Sequence, residues 1–370
     1  MNSEGGHRKR VTLFINSLHG GGAERVCVTL ANGLKDRGWD VELVVLNLKG
    51  AVFQSELDKD IAITDLHASH ARTVVFKLAR HLKTSRCEKM LVFNHQLAIL
   101  LVILRRVLNL KFKIVVRNIN TLSQKKANQK NFWHKYVVDG LVRIFYSGVD
   151  KIIAQSQGMK NDLVKNYAID EAKITVIHNP LGQKFEQFAK TAGANITEKQ
   201  DYLLCVGKLE AQKALNEAIE AFAIFAKQNP ETRLKIVGQG SLKNKLQRQA
   251  QMLQIAERVD FEGFHTDLIP FYTRAKATVL TSLYEGFPNV LIESIATGTA
   301  VIAFDCPSGP REIIEENING FLILNRDVNA MAKAMLKAVQ PGTFQSDKVR
   351  QTANKYRLAR ILGEYEKLLV

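Results

Sequence analysis

Residues Leu283–Gly298 read LYEGFPNVLIESIATG, with two glutamates, Glu285 and Glu293, separated by seven residues. The apolar run Ala277–Leu280 before them reads as a strand, which places Glu285 in the loop beyond its carboxyl end. Gly286 and Phe287 make a turn. Pro288 suits a first helical position, where a missing N–H costs nothing. A helix is expected over Asn289–Ala296, its N-terminus offering free N–H groups and a positive dipole end to an anion. Glu293 lies on the second turn, where side chains lean back toward the N-terminus. Both carboxylates can thus reach one ligand, and carboxylates accept hydrogen bonds from sugar hydroxyls. Taken alone, the stretch is equally a surface glutamate and a glutamate near a helix dipole.

The neighbouring sequence gives the stretch a setting. Apolar runs rich in β-branched residues alternate with helical patterns throughout. Strands are expected at Val11–Ile15, Val41–Leu46, Met90–Phe93, Ile114–Val116, Ile152–Ala154 and Thr175–Ile177. A second series is expected at Tyr202–Val206, Leu234–Val237, Val259–Phe261, Ala277–Leu280, Val301–Phe304 and Phe321–Leu324. Helices such as Glu24–Arg37, Leu215–Lys227 and Leu242–Gln254 fall between them. That alternation predicts an α/β fold of parallel sheets covered on both faces. A chain of 370 residues exceeds what one core holds, so two tandem doubly wound, Rossmann-like domains with a cleft between them are expected. A polar stretch after Asn179-Pro180 sets the boundary, giving domains 1–190 and 191–348, and 349–370 reads as a closing helix that packs back on the first domain.

In doubly wound sheets ligands bind beyond the carboxyl ends of the strands. After the first strand come His19-Gly20-Gly21-Gly22, where glycines permit close backbone approach ahead of a helix. In the second half the loops are Gly207-Lys208 through Lys213, Gly238-Gln239-Gly240, and Gly263-Phe264-His265. Lys208 and Lys213 can neutralise a diphosphate as point charges. Neither GxGxxG nor the Walker pattern GxxxxGK[ST] occurs at these loops, which argues against a dinucleotide dehydrogenase.

Charge is unevenly divided. Residues 1–190 carry 30 Lys and Arg against 16 Asp and Glu, whereas residues 191–370 carry 22 against 20. The densest region runs from Arg105 to Lys151 and includes Lys111, Lys113, Arg117, Lys125, Lys126, Lys130, Lys135 and Arg143. Phe112, Phe132, Trp133, Tyr136, Phe145 and Tyr146 are interleaved with it. A solvated face is one account; an anionic membrane surface, which attracts each nearby Lys or Arg by about 1 kcal/mol, is another. Nucleic acid is ranked below lipid because no helix-turn-helix, zinc-finger or RNP-like signature accompanies the patch. The apolar run Leu97–Leu104 falls short of the about eighteen residues of a membrane span. It reads as a buried helix, with a membrane-facing surface as the alternative. Cys27, Cys87, Cys205 and Cys306 follow no metal or disulfide spacing and read as buried thiols. The run Val11–Ile15 is too short for a signal-peptide core, so a cytoplasmic location is expected.

The Glu-x7-Glu stretch with EGFPNVLIE resembles the signature of the retaining glycosyltransferase family 4, of GT-B fold. GGAERV (Gly21–Val26), VGKLEAQKAL (Val206–Leu215), VGQGSL (Val237–Leu242) and CPSGPREII (Cys306–Ile314) resemble its other segments, in order. The last is similar to members acting on bacterial surface glycans. The resemblance implies acceptor binding in the first domain and donor binding in the second. Glu285 would hold donor-sugar hydroxyls, Glu293 the ribose, and Lys208 and Lys213 the diphosphate, with amides at Phe287 and Asn289 assisting. Gly21, Gly22, Gly238, Gly240, Phe264 and Gly286 would line the donor. No metal and no cofactor would be needed, and Asp58-Lys59-Asp60, the one DxD, reads as surface charge.

Two departures stand out. Lys208 replaces the family arginine, keeping the charge but losing the fork. No histidine follows the fifth strand, where the chain reads Arg117-Asn118. Arg117 or Asn118 would serve there, or His95 or His19. The expected activity is transfer of a hexose or N-acetylhexosamine from a UDP-sugar to a lipid-linked or lipopolysaccharide-type acceptor. The protein would sit peripherally on the inner face of the cytoplasmic membrane. The alternatives are a sugar-nucleotide epimerase or hydrolase of the same architecture, or a non-enzymatic basic protein that binds membrane or nucleic acid.

Overall fold

A computed structural model describes residues 9–68, 74–85, 87–118, 123, 139–191 and 198–370. The chain divides into two compact units, Met1–Gly182 with Leu358–Val370, and Gln183–Arg357.

The first unit contains β1 (Arg10–Ile15), β2 (Asp40–Val45), β3 (Ala62–Asp65), β4 (Lys89–Val92), β5 (Lys113–Arg117), β6 (Lys151–Ala154) and β7 (Ile174–Val176). They form one sheet of order β3-β2-β1-β4-β5-β6-β7 in which every pairing is parallel. The order reverses between β1 and β4, the point where such sheets open a crevice. Its helices before residue 182 are, among the described residues, α1 (Gly22–Asp36), α2 (Val75–Thr84), α3 (His95–Val107), α4 (Asp139–Phe145) and α5 (Gln157–Tyr167).

The second unit contains β8 (Tyr202–Val206), β9 (Arg233–Val237), β10 (Val259–Gly263), β11 (Ala277–Leu280), β12 (Ala300–Phe304) and β13 (Gly320–Ile323). Their order is β10-β9-β8-β11-β12-β13, again all parallel, with the reversal between β8 and β11. Its helices are α6 (Gln183–Thr191), α7 (Leu215–Ala226), α8 (Lys243–Met252), α9 (Ile269–Arg274), α10 (Asn289–Ala296), α11 (Pro310–Ile313), α12 (Val328–Val339) and α13 (Ser346–Thr352). The final helix, α14 (Leu358–Leu369), belongs to the first unit.

Strand alternation explains the two cores of the first unit. Phe14, Val44, Val92 and Val116 face the layer of α2, α3, α4 and α5. Leu13, Leu43, Leu91 and Val115 face α1 and α14. Helix α14 seats on α1 where a glycine admits it: a Cβ on Gly33 would lie 2.6 Å from a Leu362 methyl. Glu366 fixes its register, meeting Arg37 Nη1 at 2.5 Å and accepting from Trp39 Nε1 at 3.0 Å.

Several expectations change. The break between units falls at Gly182 rather than 190, because Phe185 of α6 packs edge-on against Tyr272, ring centroids 5.8 Å apart. The expected helix over 349–369 is interrupted before Leu358, and its halves belong to different units. Strand β3 is additional to the expected set. Leu97, Ala98, Leu101 and Val102 of α3 are fully buried, which removes the membrane-facing reading of that run.

The basic stretch is not one surface. Arg106, Lys111, Lys113 and Lys151 are exposed, but Phe112, Arg117 and Tyr146 are buried. Arg105 is tied to Asp150 and to the carbonyls of Phe112 and Gly148. Lys125, Lys126, Lys130, Lys135, Phe132, Trp133 and Tyr136 lie outside the described residues, as does the side chain of Arg143. Asp58 and Asp60 both pair with Lys35, at 2.5 and 2.9 Å, which accounts for the DxD. Cys27, Cys205 and Cys306 are buried and Cys87 partly so, all as free thiols. No described helix is long and apolar enough to cross a membrane.

Candidate active site

In the second unit the loops at the carboxyl ends of β8, β9 and β10 are laced together by main-chain bonds. Gly207 N–H donates to Val237 O at 2.9 Å, Gly238 N–H to Gly263 O at 2.7 Å, and Leu209 N–H to Gln239 O at 3.0 Å. Gly238 is required: its φ is +142°, and a Cβ there would lie 1.9 Å from Gly207 O. Gly240 is also tightly enclosed, with its Cβ position 2.4 Å from Leu209 O. These glycines let backbones touch where three loops converge, and so shape one edge of the sheet.

Across the reversal point, the loop after β11 is bound to the loop after β8. Leu283 N–H donates to Gln212 O at 2.8 Å, and Gln212 Nε2 returns a bond to Tyr284 O at 2.9 Å. Thr281 Oγ1 bonds the carbonyls of Lys213 and Ala214 at 3.0 and 3.1 Å. This brings Lys213 Nζ to 2.5 Å from Glu285 Oε1, which also accepts from Ser282 Oγ at 2.6 Å. Glu285 is 6% exposed. A buried carboxylate needs such partners, because an unpaired one would cost several kcal/mol, roughly 3–5 when its cation is removed. Lys208, five residues before Lys213, is exposed.

Helix α10 begins at Asn289, so Pro288 is its N-cap, with ψ 101°, rather than its first helical residue. The Gly286-Phe287-Pro288 turn is held from outside the stretch. Ser308 Oγ donates to Gly286 O at 2.8 Å, and Phe287 packs edge-on against Tyr356, centroids 5.5 Å apart. The CPSGP segment thus braces the turn. Glu293 is 4% exposed, and the fully buried Tyr272 donates its hydroxyl to Glu293 Oε2 at 3.0 Å. Phe264, just beyond β10, is 46% exposed.

In the first unit, Gly21 is the N-cap of α1 and Gly22 its first residue. His19 is exposed in the same loop, and its ring bonds Lys49 O. His95 opens α3 after Asn94, whose side chain caps Gln96 N–H at 2.8 Å. These residues flank the β1/β4 reversal at one edge. Arg117 and Asn118 do not join them on the surface, each being 1% exposed. The Arg117 guanidinium bonds Asn179 Oδ1 and lies 5.3 Å over the Phe93 ring. Asn118 accepts from Tyr146 through its side chain and from Gln155 through its carbonyl.

Sequence reasoning missed Tyr272, Ser282, Gln212 and Ser308 as partners of the site. Nothing in their local spacing marks them, since each acts over a fold-made contact. The exception is Ser282, three residues before Glu285, which a turn brings back.

The sequence profile described as "Glycosyl transferases group 1" matches residues 186–356, and that described as "Glycosyltransferase Family 4" matches residues 20–181. A Campylobacter jejuni protein is 26% identical over 98% of this chain and 100% of its own length. It is named N-acetylgalactosamine-N,N'-diacetylbacillosaminyl-diphospho-undecaprenol 4-alpha-N-acetylgalactosaminyltransferase. Among solved structures, HepE of Anabaena with UDP and glucose superposes with TM-score 0.78 at 18% identity, over 98% of this chain and 99% of that one. The apo lipopolysaccharide outer core galactosyltransferase WaaB gives TM-score 0.74 at 20% identity, over 97% and 98%. Two parallel doubly wound units, the motifs in order and profiles that between them span both units agree: the chain belongs to the family 4 glycosyltransferases and has the GT-B fold.

Proposed function

We propose that this glycosyltransferase is a retaining, metal-independent enzyme. It moves a hexose or N-acetylhexosamine from a UDP-sugar to a lipid-linked or lipopolysaccharide-type glycan. The observation that carries the donor assignment is the Lys213–Glu285 pair beside the N-terminus of α10, at the β8/β11 reversal. It puts a cation, a carboxylate and a helix dipole on one edge, which suits a sugar diphosphate. Glu285 holds donor-sugar hydroxyls and Glu293 holds the ribose. Lys208, Lys213 and the amides at Gly286, Phe287 and Asn289 take the diphosphate. Gly238, Gly240 and Phe264 line the nucleotide. In the first unit, the loop of Gly21 and Gly22, with His19 and His95, lies at the β1/β4 reversal; the two glycines are those that the family resemblance assigns to the donor. Arg117, being enclosed, supports Asn179 and the strand ends, with Asn118 beside it.

The bond from the anomeric carbon to the diphosphate oxygen breaks as the acceptor oxygen bonds to the same face. The departing diphosphate takes the acceptor proton. Charge grows on that diphosphate, so fixed cations and N–H groups aimed at it lower the barrier, each such donor by about 3 kcal/mol. The Campylobacter relative's undecaprenol-linked acceptor and the UDP and glucose of HepE support the choice of acceptor class and donor.

The enzyme works on the inner face of the cytoplasmic membrane. Supporting this are exposed apolar side chains on the outer helix layer of the first unit, Phe76 (87%), Val107 (74%) and Ile144 (64%), with Arg106, Lys111 and Lys113 exposed nearby in sequence. Radiolabelled UDP-sugars incubated with undecaprenyl-linked glycans test the activity. Transfer by the wild type that Glu285→Ala abolishes supports the assignment; full transfer by Glu285→Ala refutes it. Failure to sediment with anionic liposomes at low salt refutes the membrane role.

A further inference from the structure

The opposite edge of the second unit's sheet carries charge that the donor site does not use. Lys276 immediately precedes β11, and Lys199 lies three residues ahead of β8. Ala277 pairs with Ala300 in register, so Lys276 stands beside Thr299. Lys199 Nζ donates to Thr299 Oγ1. Arg350 of α13 reaches the same turn: a Cβ on Gly298 would lie 3.2 Å from its Nη2. Three cations therefore converge on Gly298-Thr299.

Their compensation is thin. Asp347 meets Arg350 Nη1 at 3.0 Å but is 84% exposed, so water screens that charge. Arg350 Nε is enclosed and has no hydrogen-bond partner among the described residues. Helices α9 and α10 both end nearby, and each carboxyl end supplies about half a negative charge at most. Lys276 and Lys199 have no carboxylate in ion-pair contact among the described residues. Burial, then Arg350, then Lys276 push the Lys199 amine down to about 8. All three causes disfavour its charged form.

We propose that Lys199, Lys276 and Arg350 form a second anion site, at the amino-end edge of the six-stranded sheet, that takes a phosphate-class dianion. A dianion there supplies the missing countercharge. The site is separate from the donor site. Strand β11 runs between them, roughly 13 Å at 3.3 Å per residue, more than one diphosphate spans. The two ends are nevertheless wired together. Thr299 Oγ1, which receives Lys199, donates to Tyr272 O at 2.6 Å, and Tyr272 holds Glu293. Free phosphate and the phosphate of a lipid headgroup present the same chemistry.

The test titrates inorganic phosphate into the full-length protein in a zwitterionic buffer, with ionic strength held by sodium chloride. Melting temperature and 31P line width are the readouts. Saturable binding is expected that survives Lys208→Met and weakens at least fivefold in Lys276→Met. Arg350→Lys, which keeps charge but not the fork, is expected to be intermediate. UDP affinity of Lys276→Met is expected to equal that of the wild type, which shows it folded and separates this site from the donor site. A parallel arm measures binding to vesicles of phosphatidic acid in phosphatidylcholine. Sensitivity of the vesicle arm to Lys276→Met identifies a lipid source, and sensitivity of the phosphate arm a free one. Insensitivity of both arms, or loss of phosphate binding in Lys208→Met alone, overturns the proposal.

Discussion

Tyr272→Phe removes one oxygen from the interior of the second unit and changes little else. The ring contact with Phe185 depends on the ring, and the bond from Thr299 reaches the main chain. What is lost is a 3.0 Å hydroxyl bond to the Glu293 carboxylate, between groups 0% and 4% exposed. A hydrogen bond to a charged acceptor in such surroundings is worth about 1.5–3 kcal/mol. Water cannot easily replace the donor, so the upper half of that range is expected. Both tryptophans, Trp39 and Trp133, precede residue 183, so their fluorescence would not report this unit. Hydrogen exchange of β11 and α10 amides, read by mass spectrometry, is the suitable assay. Exchange in α10 should accelerate about 45- to 160-fold in Tyr272→Phe. Glu293→Gln and the double variant complete a cycle, with a coupling of at least about 1 kcal/mol expected. Additive effects within about 0.3 kcal/mol would refute the claim that Tyr272 holds Glu293.

Other perturbations read other parts of the account. Gly238→Ala should lower stability by about 2–4 kcal/mol, since its Cβ would meet Gly207 O at 1.9 Å at a φ of +142°; a melting temperature equal to wild type would contradict the loop packing. Lys199, pushed down to about 8, makes the folded state less stable below pH 8, and the penalty fades as pH rises from 8 toward 10.5. In phosphate-free buffer Lys199→Met should therefore gain up to about 3 kcal/mol at pH 7 relative to pH 10.5; urea curves with the same gap at both pH values would contradict this. For Glu366, burial raises the carboxyl, but bonds from Trp39 and Arg37 outweigh it and hold it below its ordinary range. Its contribution is present above about pH 4.5 and lost as pH falls through the lowered value. Glu366→Gln should flatten the acid limb of the first unit's melting curve, and an unchanged limb would show that this carboxylate does not anchor α14.

Much of the architecture was legible because parallel strands buried on both faces are continuous apolar runs. The sequence predicts twelve of the thirteen described strands, most of them from such runs. The exception, β3, reads Ala-Ile-Thr-Asp and lies at the sheet edge, half exposed, so it needs little apolar content. The turn and helix around Gly286–Ala296 were legible because proline and glycine punctuate them. Other features depend on contacts far apart in sequence. Lys213 meets Glu285 across 72 positions, and Arg117 is enclosed by Phe93 and Asn179 rather than by its neighbours. Periodicity also reads straight through the break before Leu358, since amphipathic residues continue on both sides while the two halves serve different cores.

The central claim is that the second unit binds a uridine nucleotide through Glu293 and the loops around it. Calorimetric titration of UDP, with GDP, ADP and NAD as comparisons, on the wild type and on Glu293→Ala tests it most directly. The account predicts that UDP binds best and that Glu293→Ala weakens it at least tenfold, about 1.4 kcal/mol. Absence of nucleotide binding, or UDP affinity indifferent to Glu293→Ala, would contradict it.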